Sequence, residues 1–205
     1  MEIDVSEKEP ETVHAPDLLG GRIRKLRKAQ ERTLDSLAQE VGLTKGYLSK
    51  VETGRQTPPL ATLSKVARAL GTDLSSLLEA ERKDAIADGR GVSLVRANER
   101  RSVVRGGSSF GYDYQSLAQS ATLRHMSPFL FTFPQQILKE VFFEHAGEEI
   151  IFVLSGIVEF EVGEERFELM PGDCIYFDAR KRHRGRGKNG EAKALVVMYE
   201  PTDRV

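Results

Sequence analysis

Hydrophobic residues recur with two different periods along this 205-residue chain. Between residues 17 and 79 they fall three or four positions apart, the spacing that places them on one face of an α-helix. From residue 103 to residue 205 they alternate with polar residues over short runs, a pattern typical of β-strands buried on one side. The pattern therefore predicts an α + β protein of two domains, a helical domain followed by a β domain.

The most regular part of the helical half is a pair of short helices joined by a tight turn. The first helix follows Thr33, whose hydroxyl can cap a helix N-terminus, and ends at Gly42. Glycine accommodates the left-handed backbone that often terminates a helix. A second helix is expected over residues 45–53, with Leu48 and Val51 on its apolar face. This arrangement is that of a helix-turn-helix unit.

The opposite face of the second helix is polar. It carries small or charged residues that could enter a major groove, namely Lys45, Gly46, Ser49 and Lys50. Residues 17–80 hold eleven Lys and Arg against seven Asp and Glu, although the whole chain has a net charge of −1. The positive excess thus lies on the segment that would contact phosphates.

Three further helices are predicted around this pair. One begins at Asp17 and turns Leu19, Ile23 and Leu26 inward; one follows Pro58 and Pro59 with Leu63, Val66, Ala67 and Leu70 on its core face; and a short last helix is capped by Asp73. The helical domain therefore has five helices.

The change of period sets the expected domain organisation. It comprises an acidic disordered tail (1–16), the helical domain (17–79), a linker with the first strand region (80–102) and the β domain (103–205). Strands are predicted near 92–96, 112–114, 129–133, 150–154, 158–162, 166–169, 174–177 and 194–199. Many short strands separated by glycine-bearing turns favour a β-sandwich or a small barrel.

Cysteine content and hydropathy bear on the expected location of the protein. Cys174 is the only cysteine, so no intramolecular disulfide can form, which fits a reducing cytoplasm. No apolar run approaches membrane-spanning length. We therefore expect a cytoplasmic protein with no membrane partner.

The helix pair and its surroundings resemble a known DNA-binding domain. The segments Leu37-Ala38, Gly42-Leu43-Thr44 and Leu48 to Gly54, followed by Pro58 and Thr62-Leu63, are similar to the XRE/Cro–CI-type repressor domain. The resemblance implies that double-stranded operator DNA is contacted by Thr44, Lys45, Gly46, Tyr47, Ser49, Lys50, Arg55 and Gln56. It also implies an ion pair between Arg27 and Glu52. The alternatives are a helical hairpin that binds no nucleic acid and two solvated surface charges.

Two segments of the β half resemble the motifs of the cupin family. His145-Ala-Gly-Glu-Glu149, with Gly156 further on, is similar to the first cupin motif, and Pro171-Gly172-Asp173 followed by His183 is similar to the second. Cupins are jelly-roll β-barrels whose mouth can hold a metal or a small ligand. The resemblance therefore implies a C-terminal cupin barrel.

Three residues of these motifs form a candidate metal site. His145, Glu149 and His183 make a two-histidine, one-carboxylate set, which suits a divalent metal such as Fe, Zn, Ni or Mn. The family pattern begins His-x-His, and Phe143 stands where the first of these histidines would be. The alternative is that the three residues line a metal-free effector pocket.

A basic run surrounds the second histidine. Residues 180–188 contain six Lys and Arg, and this run is either a solvated loop or a positive rim that attracts an anionic effector. The cupin resemblance further implies that a small-molecule effector would be contacted by Arg105, Tyr112, Tyr114 and Arg182.

An XRE-type domain joined to a cupin resembles one-component transcription regulators. The resemblance implies a homodimeric, sequence-specific DNA-binding protein that is not an enzyme. Its cupin domain would sense a small metabolite, which would be an anion if the basic run forms a positive rim. The alternative is a non-haem metal-dependent cupin enzyme, because the same layout and ligand set occur in hydroxypropylphosphonate epoxidase. An antitoxin is a weaker alternative, since a sensory barrel would be superfluous in one.

Overall fold

The computed structural model describes residues 16–72, 74–78, 92–100, 102, 111–118, 125–137 and 142–199. The expected acidic tail, most of the expected linker, the Asp73 cap and Arg105 lie outside these residues. Within the described part, five helices precede eight strands. The predicted α + β class, with a helical domain followed by a β domain, is therefore confirmed.

The helical part contains the five helices that the periodicity predicts. They are α1 (Pro16–Ala29), α2 (Leu34–Glu40), α3 (Lys45–Glu52), α4 (Leu60–Ala69) and α5 (Leu74–Leu78). Their apolar faces meet in one core that includes Ile23, Leu48 and Leu63, each of them fully buried. None of the described helices has the length and hydrophobicity needed to traverse a lipid bilayer.

Side-chain caps begin the two helices of the predicted pair. The Thr33 hydroxyl accepts a hydrogen bond from the Ser36 amide at 3.0 Å, and the Thr44 hydroxyl accepts one from the Tyr47 amide at 3.1 Å. Each cap satisfies a backbone N–H that has no partner within its helix. Both predicted caps are confirmed, and the cap at Thr44 fixes the first turn of α3, the helix that would read DNA.

The β part consists of eight antiparallel strands in two sheets. The strands are β1 (Asp113–Ser116), β2 (Met126–Phe133), β3 (Glu148–Ser155), β4 (Val158–Val162), β5 (Glu165–Leu169), β6 (Cys174–Asp178), β7 (His183–Gly187) and β8 (Ala192–Tyr199). One sheet has the order β1-β2-β8-β3-β6 and the other the order β5-β4-β7. The predicted jelly roll thus takes the form of two facing sheets.

The two sheets pack through their inner faces. Phe160 of β4 contacts Phe177 of β6, with ring centroids 5.4 Å apart. A Cβ atom at Gly185 of β7 would stand 2.8 Å from the Phe133 ring of β2, so only glycine lets these strands approach so closely. A cavity remains at one end of this aromatic core, and it contains the candidate metal ligands.

Two local predictions were wrong. Residues 92–96 form no strand, and Val92 and Leu94 are largely exposed, because no described strand pairs with them. The basic run 180–188 is not a loop throughout, since His183–Gly187 forms strand β7, which pairs with β4. Glycines alternate with arginines there, so the inward positions carry no hydrophobic side chain and the strand pattern is hidden.

Candidate functional site

The three candidate metal ligands come from three different parts of the β-sandwich. Glu149 points inward from β3, and His183 is the first residue of β7. His145 precedes β3, and its amide donates a hydrogen bond to the Ala179 carbonyl at 3.0 Å. All three residues are buried.

The three side chains converge on one point. The Nε2 atom of His145 lies 3.1 Å from Oε2 of Glu149, and the Nε2 atom of His183 lies 3.5 Å from the same oxygen. One ligand atom from each residue can be chosen so that all lie within 4.8 Å of one another. The structure therefore brings together the three predicted ligands, and the set could bind a metal.

Backbone carbonyls orient both imidazoles. Nδ1 of His145 is 3.0 Å from the Ala146 carbonyl oxygen, and Nδ1 of His183 is 2.8 Å from the Lys181 carbonyl oxygen. A carbonyl oxygen can only accept, so each Nδ1 must carry the proton. In the neutral ring the Nε2 lone pair then faces Glu149, which is the arrangement that metal-binding histidines use.

The surroundings of Glu149 supply little positive charge and could therefore accept a cation. None of the described residues lining the cavity is a lysine or an arginine. A buried carboxylate surrounded by lone pairs is costly unless a proton or a metal ion supplies a positive charge. Burial lowers the pKa of His183, although Glu149 acts in the opposite direction. His183 is thus held in the neutral form that a metal requires, and the donor set fits a divalent cation.

Aromatic side chains form most of the remaining cavity wall. Tyr112 is buried, its hydroxyl donates to the Gly185 carbonyl at 2.8 Å, and burial raises its pKa. The Phe143 ring lies 5.3 Å from the Tyr112 ring and 6.1 Å from the His183 ring. Phe143 pairs with His183 through two backbone hydrogen bonds, so the residue replacing a family ligand still lines the cavity.

The helical domain closes the other side of this cavity. Pro59, Leu60 and Ala61, at the start of α4, belong to its lining. The Tyr114 hydroxyl donates a hydrogen bond to the Pro58 carbonyl at 3.2 Å. The cavity volume is about 40 Å³, which is enough for a metal ion and a few waters but not for a typical metabolite. The sequence offered no signal for this contact, because it joins residues 56 positions apart.

Of the other two predicted effector residues, Arg182 is not brought to the cavity. Arg182 is exposed, and its guanidinium carbon lies 4.4 Å from the centre of the Phe142 ring. Arg105 lies outside the described residues. Of the basic run, only His183 and Gly185 line the cavity.

Much of the remaining charge in the basic run is paired with acids. Arg184 binds Glu161, Arg186 binds Glu159 and Lys188 binds Glu168. The bond from Arg184 lowers the pKa of Glu161. Strand β7 therefore does not provide a positive rim at the cavity mouth.

The predicted reading face of α3 is mostly open to solvent. Lys45, Gly46 and Lys50 are exposed, Ser49 is half-buried, and the Thr44 hydroxyl caps the helix. Lys45 forms an exposed ion pair with Asp35 at 2.6 Å, which is weak enough to exchange for a phosphate or a base.

Tyr47 differs from the rest of the predicted DNA-binding set. Its side chain is half-buried and packs against the core, and burial raises its pKa. It lies close enough to Tyr114 to add to the effect of burial and of Asp113 in raising the Tyr114 pKa. Tyr47 of α3 thus lies near Tyr114 of β1.

The loop after α3 is held to the end of that helix. The amides of Arg55 and Gln56 both donate to the Lys50 carbonyl, at 2.8 and 3.1 Å. Arg55 is exposed and Gln56 is half-buried. The two residues predicted to contact phosphates are therefore hydrogen-bonded to the C-terminal turn of α3.

A buried ion pair joins α1 to α3. Arg27 donates through Nε to Oε1 of Glu52 at 2.6 Å and through Nη2 to Oε2 at 2.8 Å. The pairing that the XRE resemblance implied is confirmed, and the two charges are not solvated. At Gly20, a Cβ atom would stand 2.4 Å from the Val51 carbonyl oxygen, so glycine allows α1 to pack closely on α3.

Two family profiles match the sequence. The helix-turn-helix family HTH_3 matches residues 23–77, which cover α1 from Ile23 through most of α5. The cupin-domain family Cupin_2 matches residues 129–199, which cover the strands from β2 to β8 together with all three candidate ligands.

Curated proteins match over about a third of the chain. The immunity repressor protein of Bacillus phage phi105 is 38% identical over 63 residues, covering 31% of this chain and 44% of that protein. The HTH-type transcriptional regulator SinR of Bacillus subtilis (strain 168) is 35% identical over 74 residues, covering 36% of this chain and 66% of that one. The chain thus spans less than half of the phage repressor and just under two thirds of SinR.

Solved structures match over most of the chain. An HTH_3 family transcriptional regulator from Vibrio cholerae has a TM-score of 0.66 at 24% identity, covering 91% of this chain and 97% of that one. Hydroxypropylphosphonic acid epoxidase from S. wedmorenis covers 91% and 99% at 21% identity, but its TM-score of 0.45 is too low to support an argument. The first likeness shows the same fold. The chain therefore contains an XRE-type helix-turn-helix domain of the HTH_3 family, followed by a cupin domain of the Cupin_2 family.

Proposed function

We propose that the protein is a sequence-specific DNA-binding transcriptional regulator whose cupin cavity senses a small molecule. The observation that carries the proposal is that the helical domain itself closes the cavity, through Pro59, Leu60 and Ala61. A ligand in the cupin domain would therefore contact or displace the part of the chain that follows the recognition helix. Ligand binding and DNA binding would be coupled through that contact.

DNA would be bound by α3 and the loop after it. Thr44, Lys45, Gly46 and Ser49 would face base edges from the N-terminal half of the helix, while Lys50, Arg55 and Gln56 would contact phosphates. Tyr47 would be a minor DNA contact, because half of its surface is already used inside the protein.

Sensing would depend on movement of the α4 start. The cavity is too small for a typical metabolite, so an effector would enter by displacing part of the cavity lining, to which Pro59–Ala61 belong. The preceding loop is hydrogen-bonded to Lys50, so this displacement would reach the C-terminal turn of α3. Tyr112 and Tyr114 would contact the effector as wall residues, and its body would be mainly apolar because the wall is mainly aromatic and aliphatic.

A divalent metal would be held by His145, Glu149 and His183. When bound, it would supply open coordination positions for an oxygen or nitrogen atom of the effector. The backbone carbonyls that bind Nδ1 of each imidazole would keep both Nε2 atoms directed at the metal, and the aromatic wall would exclude water.

The proposal is tested by DNA binding and by its dependence on cavity residues. A DNA site selected from a random-sequence pool serves as the probe, measured with and without Zn²⁺ or Fe²⁺. We expect Lys45→Ala and Ser49→Ala each to weaken binding by about 1–3 kcal/mol where they contact bases. Arg55→Ala should weaken binding to all sequences alike and reduce the salt slope by about one unit.

The coupling has its own matched pair of variants. Tyr114→Phe removes the hydroxyl bound to Pro58, whereas Ser116→Ala removes a hydroxyl of the same strand that donates to the Ala118 carbonyl instead. Only Tyr114→Phe should change the effect of the metal on DNA affinity. Failure of the selection to enrich any DNA would overturn the proposed function, and equal behaviour of the two variants would overturn the coupling.

A second candidate function is metal-dependent enzymatic activity. The observation that favours it is the two-histidine, one-carboxylate set itself, because such sets serve non-haem iron oxygenases as well as binding sites. Under this alternative, His183→Ala would abolish conversion of a small organic acid or phosphonate by the iron-loaded protein with an oxidant. Under the regulator proposal, the same change would abolish only the influence of the metal on DNA binding.

A further inference from the structure

A fourth side chain with a metal-binding atom lies beside Glu149 in the cavity. Met198 of β8 is the residue directly opposite Glu149 of β3 in the strand register. Both residues are at buried positions of their alternating strands, so the two side chains point to the same inner face of the sheet. Met198 is 3% exposed and lines the cavity together with the three candidate ligands.

The Met198 side chain is close enough to join the ligand set. Residues directly opposite each other on antiparallel strands have Cβ atoms about 4.5–5.5 Å apart. Methionine is unbranched and has three rotatable side-chain bonds, so its sulfur can adapt to an ion bound by the neighbouring carboxylate. The thioether sulfur is a soft ligand, unlike the carboxylate oxygen of Glu149.

The set of three ligands has room for a fourth donor. Phe143 stands where the cupin pattern has a further histidine, and its ring provides no lone pair for a metal. The hydroxyls of Tyr112 and Tyr114 donate to backbone carbonyls, at 2.8 and 3.2 Å. Among the described lining residues, the Met198 sulfur is therefore the side-chain atom best able to complete a four-ligand set.

The charge of the cavity bears on which ion it would hold. Glu149 is the only carboxylate among the described lining residues, and both tyrosines keep the protons that they donate. A divalent ion would leave one net positive charge in this apolar cavity unless it brought an anion with it, whereas a monovalent ion would leave none. A cavity of about 40 Å³ has little space for an added anion.

We propose that Met198 is a fourth metal ligand and that the completed set binds Cu⁺ in preference to divalent ions. Thioether ligands select Cu⁺, imidazole also suits copper, and a single carboxylate balances the charge of this ion. The inference deepens the proposed function, on which it rests for the other three ligands. It adds a ligand to that site and names the ion that the site would hold most tightly.

The test separates a ligand from a packing residue. Methionine also fills gaps in apolar cores, but leucine has nearly the same volume, so Met198→Leu keeps the packing and removes the sulfur. The matched control is Met126→Leu, which changes a methionine that is 62% exposed on the neighbouring strand β2. Every protein also carries Cys174→Ser, because an exposed thiol would itself bind Cu⁺.

Metal affinities are measured on the full chain without DNA. Competition with bicinchoninate, in the absence of oxygen and with a mild reductant, gives the dissociation constant for Cu⁺, and competition with a zinc-binding dye gives that for Zn²⁺. Met198→Leu should weaken Cu⁺ binding by about ten-fold or more and Zn²⁺ binding by less than about three-fold. Met126→Leu should change neither constant.

X-ray absorption at the copper edge provides a second measurement that needs no change at Met198. Protein with Cys174→Ser, loaded with one Cu⁺ per chain, should show one sulfur neighbour beside nitrogen and oxygen, and Met198→Leu should lose that sulfur. Copper without a sulfur neighbour would overturn the proposal. Equal losses of Cu⁺ and Zn²⁺ affinity in Met198→Leu would overturn it too, as would tighter binding of Zn²⁺ than of Cu⁺ by the unsubstituted site.

DNA affinity is measured separately, with the metal-free and the Cu⁺-loaded protein. Sulfur-bound Cu⁺ that leaves DNA affinity unchanged would contradict the coupling in the proposed function and leave the fourth ligand in place. A change in DNA affinity caused by copper that has no sulfur neighbour would contradict the fourth ligand alone.

Discussion

Two buried glutamates, one in each domain, have nearly the same exposure and very different neighbours. Glu52 is 8% exposed and Glu149 is 7% exposed. Both carboxylates are removed from water to a similar extent, so each requires compensation for the loss of its hydration. The two domains supply that compensation in different ways.

Glu52 is fully compensated by the protein. Arg27 donates to both of its oxygens, and this hydrogen bonding raises the pKa of Arg27 despite the opposing effect of burial. The charge of Glu52 is neutralised and both of its oxygens are hydrogen-bonded. The pair therefore holds α1 against α3 and is not available to bind a ligand. Its role is to position the recognition helix.

Glu149 is not compensated in this way. It faces the Nε2 atoms of two histidines whose Nδ1 protons are already donated to carbonyls, and no described residue of the cavity wall is a lysine or an arginine. The comparison teaches that burial alone does not identify a functional carboxylate. The distinguishing feature is whether the protein itself supplies the positive charge.

The largest expected effect comes from breaking the complete pair. Arg27→Met keeps the length of the side chain but leaves Glu52 buried without a cation, which should lower the free energy of unfolding of the helical domain by about 3–5 kcal/mol. Urea denaturation followed by circular dichroism would measure it. Arg24→Met, at an exposed position of the same helix, should cost little. Equal losses in the two variants would mean that the pair is not structural.

Supplying the missing charge should stabilise the cupin domain. At a concentration of Zn²⁺ or Fe²⁺ a hundred times its dissociation constant, the free energy of unfolding should rise by about 2.7 kcal/mol. Glu149→Gln should lose this gain because it removes the charged ligand, whereas His125→Gln, at an exposed histidine outside the cavity, should retain it. Thermal unfolding with and without a chelator measures the difference. A gain that persists in Glu149→Gln would place the metal elsewhere.

Both clusters were predicted through the resemblance to known families, because the motifs that carry the resemblance are local in sequence. The caps at Thr33 and Thr44 mark the starts of α2 and of the recognition helix α3, and the segment from His145 to Glu149 that resembles the first cupin motif contains two of the three ligands. Strand β4 was predicted with the bounds 158–162 that the structure has, because its alternation is regular.

The rest could not be predicted because it depends on contacts distant in sequence or on glycine. In β7, Gly185 and Gly187 occupy the inward positions, so a strand with no apolar side chain escaped detection. The closure of the cavity by Pro59 depends on how the two domains dock, which no local pattern encodes. Arg182 precedes β7 and is exposed, and no local pattern indicated that its side chain would point away from the cavity.

A smaller effect distinguishes the two carboxylates when no metal is present. Glu149→Gln removes a charge that the protein leaves uncompensated, so the metal-free protein should be unchanged or up to about 1 kcal/mol more stable. Glu52→Gln removes half of a complete pair and should cost about 1–3 kcal/mol. Chemical denaturation of both variants in chelator measures the difference. If Glu149→Gln proved as destabilising as Glu52→Gln, then Glu149 would already be paired within the protein, with a proton on His145 as the natural source.

The smallest effect concerns pH. Burial lowers the pKa of His183 below its usual value of 6.5, so its imidazole is neutral at pH 7 and available to a metal. As the pH falls below 6.5, the unfolded chain takes up this proton before the folded chain does, so the metal-free protein loses stability. Protons also compete with the metal, whose stabilising effect should be complete at pH 7 and decline below about pH 6. The slope contributed by one proton is at most about 1.4 kcal/mol per pH unit. Unfolding measured from pH 7.5 to 5 with and without Zn²⁺ tests this, with Arg27→Met as a control that should keep the same metal dependence. A metal effect that grew as the pH fell would rule out neutral imidazole ligands.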